Sequence, residues 1–185
     1  MSKSVVVCNL APLEALNLDI AANEHAYVKV GILGVGRAGR PAHPTRKEAG
    51  IDNPNLGAVH EFGSMKRHIP PRSFLRMPLM TKLPDKMRAI GKAVWQSIID
   101  QKGIRTALAD LGAEGENTVQ EAFNTGGFGQ WAPWSEKYGR RRELEMRAKR
   151  RKKRLIGPMQ LAILVRTGQL AKAITSHVVG GKAQP

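Results

Sequence analysis

Two short patterns in this chain contain residue types that could do chemistry. Gly34, Gly36 and Gly39 spell GxGxxG directly after an apolar, β-branched run, which is the spacing of a dinucleotide-binding turn. His60 and Glu61 are neighbours and could together form a general base. The chain has five histidines, which form no HExxH pattern and no close ligand pair: His25, His43, His60, His68 and His177.

The glycine pattern lacks the rest of a dinucleotide site. Such a site needs a helix that begins at the glycines and holds the pyrophosphate at its N-terminus. Pro41 and Pro44 prevent a helix there, and Asp52 lies between a glycine and a proline rather than at the end of a strand. We therefore expect no cofactor, and we interpret residues 34–56 as a flexible loop rich in glycine, proline and basic residues.

The His60–Glu61 pair also fails as a catalytic unit. Neighbouring side chains in an extended segment point to opposite faces, so the two groups cannot act on one substrate atom. We expect no catalytic residue and no metal site, and we do not predict an enzyme.

The charge of the chain predicts an anionic partner. Thirty lysines and arginines against fifteen acidic residues give a net charge of +15. Arg140–Arg154 alone holds ten basic and two acidic residues, and six basic residues in a row from Lys149 to Arg154 repel one another. The segment is either a solvated charged helix or loop, or a contact for DNA, RNA or an acidic protein surface. The candidate nucleic-acid-binding residues are Arg140, Arg141, Arg142, Lys149, Arg150, Arg151, Lys152, Lys153 and Arg154.

The length and the cysteine content limit the class of protein. A chain of 185 residues fits one domain with a real core. The single cysteine, Cys8, cannot form an intrachain disulfide, which favours a reducing compartment. No apolar run is long enough to span a membrane, and no signal-peptide core is present, so we expect a soluble protein.

The sequence predicts an α+β fold, with a small antiparallel sheet flanked by two or three helices and with long Gly/Pro-rich and basic loops. Tyr27–Leu33 alternates and is β-branched, so it is predicted to be a strand. Since no strand follows it closely, we expect it to pair antiparallel with Ile174–Val179. Val28, Val30 and Ile32 should then lie on one side, and Lys29 and Leu33 on the other.

Two helices are predicted between these strands. Leu83, Met87, Ile90, Val94 and Ile98 form one helical face, which we expect to be core. The second helix, Ile104–Phe123, carries Leu108, Leu111, Val119 and Ala122 on one face, and Gly112 and Gly115 suggest a close helix crossing. Residues 1–26 are predicted to be an N-terminal arm, with a frayed terminus favoured over an arm that orders on a neighbouring subunit.

A rigid elbow, Gly57–Leu79, precedes the first of these helices. A half-apolar run ends at Gly63, a basic loop follows to His68, and Ile69-Pro70-Pro71-Arg72 is held extended by its prolines. Downstream, Trp131 and Trp134 flank a proline. They could form a base-stacking platform, but anchoring of the loop on the core is the favoured interpretation.

The residue order in the elbow resembles a stretch of neck or tail-completion proteins of long-tailed bacteriophages. These are related to the lambdoid minor tail protein Z family and to the virion morphogenesis family of Mu-like phages. Their pattern is a small residue, His or Asn, Glu-Phe-Gly, a short loop, and Ile-Pro-Xaa-Arg-Pro-Phe-hydrophobic-Arg. Here it is Ala58, His60-Glu61-Phe62-Gly63 and Ile69-Pro70-Pro71-Arg72-Ser73-Phe74-Leu75-Arg76, with Ser73 in place of the second proline.

Two further segments resemble the same family, in the same order. Trp131-Ala132-Pro133-Trp134-Ser135 is similar to Trp-Xaa-Pro-Leu-Ser. Thr167-Gly168-Gln169-Leu170-Ala171-Lys172-Ala173-Ile174 is similar to Thr-Gly-Xaa-Leu-Xaa-Xaa-Ser-Ile, and Thr167 could cap the helical turn that follows it. The motif residues are His60, Glu61, Phe62, Gly63, Ile69, Pro70, Arg72, Phe74, Leu75, Thr167, Gly168 and Leu170.

The resemblance covers residues 27–180 as one tail-completion-like domain, with 137–156 as a basic insertion and 181–185 as a tail. It implies a virion structural protein, made in the host bacterial cytoplasm, that forms a homo-oligomeric ring at the head–tail junction, with six subunits as the expected number. Such a ring would join the connector or stopper to the tail terminator or tail tube and surround the phage DNA, without membrane contact. The alternative, from the charge alone, is a stand-alone basic nucleic-acid-binding protein, although no known nucleic-acid module is recognisable. An enzyme that uses the GxGxxG turn is the third and weakest hypothesis.

Overall fold

The computed structural model describes residues 11–32, 53–100, 102–153, 162–165 and 168–181. Within these ranges the chain is mostly helical with one two-stranded antiparallel sheet, which confirms the predicted α+β class. The elements in chain order are α1 (Ala11–Ala22), β1 (Tyr27–Gly31), α2 (Asn53–Phe62), a 3-10 turn (Met65–Arg67), α3 (Arg76–Thr81), α4 (Leu83–Ile99), α5 (Ile104–Thr125), α6 (Glu136–Lys153), α7 (Gln169–Lys172) and β2 (Thr175–Val179). No helix in the described part of the chain is both long and apolar enough to cross a membrane.

The sheet joins two segments that are far apart in the chain, as predicted. β1 and β2 are antiparallel, with Tyr27 opposite Val179 and Gly31 opposite Thr175. Val28 and Val30 are half-buried towards α5, whereas Lys29 is exposed. The predicted alternation is therefore confirmed across β1, while Leu33 lies outside the described residues.

Helix α5 packs directly on this sheet because two glycines let it approach. A Cβ at Gly112 would lie 2.8 Å from Ser176 Oγ, and one at Gly115 would lie 3.0 Å from Val30 Cγ2. The glycines thus mark a close helix–sheet contact, and the predicted helix–helix contact is found only at Gly115, where an added Cβ would lie 3.7 Å from Leu79 Cδ2 of α3. Glu116 of α5 also hydrogen-bonds to β2, since its Oε1 accepts hydrogen bonds from Ser176 N and Ser176 Oγ, both at 2.6 Å.

The hydrophobic core lies where the C-terminal half of α5 meets the elbow and α7. Phe123 contacts Phe74 at a ring-centroid distance of 5.2 Å and Trp131 edge-on at 5.8 Å. The buried cluster consists of Phe74, Val119, Ala122, Phe123, Trp131, Leu170 and Ile174. Of the face predicted for this helix, Val119 and Ala122 are buried and Leu108 and Leu111 are half-buried.

Helix α4 forms where predicted but is an outer layer rather than core. Its predicted stripe is only half-buried, and Met87 is 45% exposed. The reason is that α4 packs mainly on α3 and α5, and its far side, with Trp95 and Ile99, is exposed. The interpretation of this stripe as core is therefore wrong.

The N-terminal region is ordered over 11–22, so the prediction of a frayed terminus is wrong for these residues. Asp19 and Asn23 are buried and attach α1 to the body. Asp19 Oδ2 accepts a hydrogen bond from Ile104 N at 2.7 Å, which caps α5, and Asn23 Nδ2 donates to Asp19 Oδ1 at 2.9 Å. The apolar run Val5–Leu10 lies outside the described residues.

The predicted loop 34–56 is wrong for its last four residues, because α2 begins at Asn53. Pro54 is compatible with this start, since the first turn of a helix needs no backbone donor. The rest of the loop, including the GxGxxG glycines, lies outside the described residues.

Candidate functional site

The elbow is held closed by a short backbone loop. Ser64 and Ile69 form an antiparallel bridge, with Ser64 N donating to Ile69 O at 2.8 Å and Ile69 N to Ser64 O at 2.9 Å. Gly63 enters this loop at φ +77°, and a Cβ there would lie 2.8 Å from Ile69 O. The motif glycine is therefore required by both conformation and space.

Glu61 receives the N-terminus of α3. Its Oε2 accepts hydrogen bonds from Phe74 N at 2.9 Å and Leu75 N at 3.0 Å, and its Oε1 accepts from Arg76 N at 3.0 Å. The side chain is only 6% exposed, so these amides compensate its charge in place of water. Glu61 thus links α2 to α3 across the elbow.

Ser73 adds two hydrogen bonds at the start of α3. Its Oγ donates to Glu61 Oε1 at 2.5 Å and accepts from Met77 N at 2.9 Å. A proline there could make neither bond, so the serine adds to the capping of α3.

Arg72 joins the elbow to the tryptophan segment sixty residues later. Its Nε donates to Ala132 O at 2.9 Å and its second guanidinium nitrogen donates to Pro133 O at 3.1 Å. Trp131 Nε1 donates to Ser73 O at 3.1 Å from a ring that is 7% exposed. Anchoring of the loop on the core is therefore confirmed for Trp131.

Arg72 is itself a buried cation. The side chain is 6% exposed, and desolvation lowers the pKa of its guanidinium. The bonds given above are to carbonyl oxygens, which carry only partial negative charge. This leaves a positive centre at the base of the elbow.

His60 lies beside this cation. Burial, and then the charge of Arg72, hold the pKa of the imidazole below its usual value of 6.5, so the ring is neutral at pH 7. His60 and Glu61 belong to helix α2, so the extended conformation predicted for them is wrong. They nevertheless serve separate structures, since Glu61 caps α3 and His60 lines a cavity.

The cavity has a volume of about 610 Å³ and opens to solvent between the elbow, α6 and α7. Five arginine and histidine side chains line it: Arg67, Arg72, Arg142, His60 and His68. Apolar and aromatic groups form its walls: Leu56, Ile69, Pro70, Pro133, Trp134, Tyr138, Leu164, Val165 and Leu170. Such a lining suits an apolar group that carries a negative charge.

The third motif segment supplies one wall of this cavity. Gly168 has φ +71° and precedes α7, whose Leu170 is 5% exposed and lies on the same side as the buried Ile174. Both side chains belong to the buried core cluster. Thr167, expected to cap this turn, lies outside the described residues.

Helix α6 carries the predicted nucleic-acid-binding residues, and they do not behave alike. Arg142 is 3% exposed and pairs with Glu145 at 2.8 Å, so its assignment to a phosphate contact is wrong. Arg140 and Arg141 are exposed but pair within the helix, with Glu136 and Glu145.

The end of α6 is different. Lys149, Arg151 and Lys152 are exposed, and Arg150 is half-buried. The side chain of Lys153 and all of Arg154 lie outside the described residues. The segment is thus a mostly exposed charged helix, with its basic surface concentrated in the last turn that the structure describes, and its contact with an anionic partner stays a prediction.

Several cavity residues were not identified from the sequence. Arg67, His68 and Tyr138 carry no family motif, and Tyr138 contacts Trp134 edge-on at a centroid distance of 5.7 Å. The i,i+4 spacing of Trp134 and Tyr138 was an available signal, but it requires knowing that α6 begins between them. No family model, no curated protein and no solved structure matches this chain.

Proposed function

We propose that this chain is a virion structural protein of a long-tailed bacteriophage, one that forms a ring at the head–tail junction. In this role it joins the connector or stopper to the tail terminator or tail tube, and its ring surrounds the DNA channel. It acts by assembly and not by catalysis.

One observation carries the proposal: three separated motif segments meet at one place. Residues of the first motif segment make the hydrogen bonds that hold this place together, namely Glu61 to the α3 amides and Arg72 to Ala132 and Pro133. His60, Ile69 and Leu170, from the first and third segments, line the same cavity. Agreement between a sequence pattern and a set of contacts supports the family assignment more than the pattern does alone.

The cavity fits a role in assembly. An apolar pocket with a cationic floor can receive a side chain or chain end of a neighbouring virion protein that carries a carboxylate. Arg72 would then gain the negative partner that its carbonyl contacts do not supply.

The test is to locate the protein in particles. We expect mass spectrometry of purified virions to detect the chain, and a cryo-EM map to show it as a closed ring between head and tail. The isolated protein should be a monomer or a weak oligomer in dilute solution, because the charge of +15 opposes association. A stable dimer both in solution and in particles, or absence of the chain from virions, would refute the proposal.

The end of α6 favours a second candidate, nucleic-acid binding. The exposed Lys149, Arg151 and Lys152 form a basic surface without an acidic residue in the same turn. If about five side chains of Lys149–Arg154 meet phosphates, log K against log salt has a slope near −4.5. Replacing this run with glutamine should reduce the slope and leave the melting temperature unchanged. An unchanged slope would mean that the run faces protein or solvent.

A further inference from the structure

Helix α4 presents an apolar ridge to solvent. Met87, Gly91, Trp95 and Ile99 recur every four residues and therefore form one i±4 row along the helix surface. Met87, Trp95 and Ile99 are 45%, 62% and 56% exposed. An exposed tryptophan between two other large apolar side chains is typical of a contact surface.

Gly91 makes a notch in this ridge. A Cβ built on it would meet nothing within 4 Å, so the glycine is not required by packing inside this chain. Glycine also weakens a helix interior. A small residue between Met87 and Trp95 instead leaves room for a side chain of another helix to enter the row.

Helix α1 has a surface that complements the ridge. Leu13 and Ile20 are seven residues apart, so they lie on one face, and they are 54% and 48% exposed. The chain has no lysine or arginine from Ala11 to Glu24, and its exposed charges there are Glu14 and Glu24.

The net charge beside the ridge has the opposite sign. Arg88 and Lys92 are exposed and lie next to the ridge on the helix surface, and the exposed Asp85, seven residues before Lys92, lies on the same side, so the net charge there is positive. Lys86 is already engaged on the other side of α4, with Glu114 at 3.0 Å and Glu121 at 3.2 Å. An acidic, apolar helix therefore matches a basic, apolar ridge.

We propose that α1 of one copy of this chain docks on the Met87–Ile99 ridge of a second copy, with Leu13 and Ile20 seated across the notch at Gly91. Each copy offers one donor helix and one acceptor ridge, so the contact is head-to-tail and continues into a ring or a filament. The inference rests on the exposed faces of α1 and α4 and stands apart from the phage assignment.

Disulfide trapping tests the contact even if it is weak. In a Cys8→Ser background, Ile20→Cys protein and a size-tagged Gly91→Cys protein are purified, mixed and mildly oxidised. We expect a mixed disulfide dimer. The matched control is Ala89→Cys, an exposed position on the same helix but off the ridge. Mixed with the Ile20→Cys protein, it should form no mixed disulfide dimer.

Each other outcome overturns the proposal. Equal yields with Gly91→Cys and Ala89→Cys would show random collision, and predominant self-crosslinking of Gly91→Cys would show that the ridge pairs with itself. A second, independent test fills the notch with a larger side chain at Gly91 and measures self-association by sedimentation at increasing protein concentration. Gly91→Leu should abolish association without lowering the melting temperature, whereas Ala89→Leu should preserve association. If Gly91→Leu self-associates as strongly as the wild type does, the proposal is also overturned.

Discussion

Replacing Glu61 with glutamine should destabilise the whole domain. The carboxylate accepts four hydrogen bonds from Ser73, Phe74, Leu75 and Arg76 and is 6% exposed. Glutamine keeps one acceptor oxygen but places an NH₂ group where the other oxygen stood. That group faces donors, so one or two charge-assisted bonds are lost and at least one amide is left without an acceptor.

The magnitude follows from these bonds. A hydrogen bond to a charged group contributes about 1.5–3 kcal/mol, so we expect a loss of about 2–4 kcal/mol in the free energy of unfolding. For a domain of this size the melting temperature should fall by roughly 5–15 °C. Thermal and urea unfolding followed by circular dichroism measure both quantities.

Glu143→Gln is the matched control, since it makes the same chemical change on the surface. Glu143 pairs with Arg147 on exposed α6, and such a pair contributes about 0.3–0.5 kcal/mol. We expect this variant to melt within about 2 °C of wild type. If Glu61→Gln melts as Glu143→Gln does, Glu61 does not hold the elbow and α3 together.

Two further changes test the site and the sheet. His60 has a lowered pKa in the folded state, so below about pH 6.5 the unfolded chain holds more protons and wild-type stability falls. His60→Asn removes this effect. The unfolding free energy of the wild type minus that of the variant should therefore decrease as the pH is lowered from about 7.5 to 5.5. A difference that stays constant with pH would contradict the burial of the imidazole beside Arg72. Truncation after Thr175 removes four of the five paired positions of β2 and the Ser176 bonds to Glu116, so the domain should lose its cooperative melting transition. Truncation after Gly180 keeps the ladder and should melt like the full chain, and equal melting of both truncations would show that β2 is dispensable.

The parts of the fold that could be predicted carry strong local signals. The period of two in Tyr27–Leu33 identified β1, and the need of a lone strand for a partner identified β2. The prolines and Gly63 identified the elbow. The family pattern selected Glu61 and Arg72, but not the atoms they bind, because those contacts depend on segments brought together only in the folded chain.

The errors have equally physical reasons. The helical periodicity of apolar residues shows which face of α4 is apolar, but not how many other elements pack on that face. Here the packing leaves that face only partly buried. Arg142 lies in a basic run, yet the nearby Glu145 and the cavity wall allow it to be buried. The order in α1 comes from the bond between Asp19 and the start of α5, eighty-five residues later, which no local pattern in 1–26 shows.

The register of the sheet has a mechanical consequence. Tyr27 and Val179 are opposite each other, so the chain enters β1 and leaves β2 at the same end of the ladder. Tension applied through the segments flanking the two strands would load one pair of hydrogen bonds at a time and peel the sheet apart like a zipper. A subunit under such a pull would open at low force. Tension carried instead through α4 and α5 would be spread over the contact between the two helices.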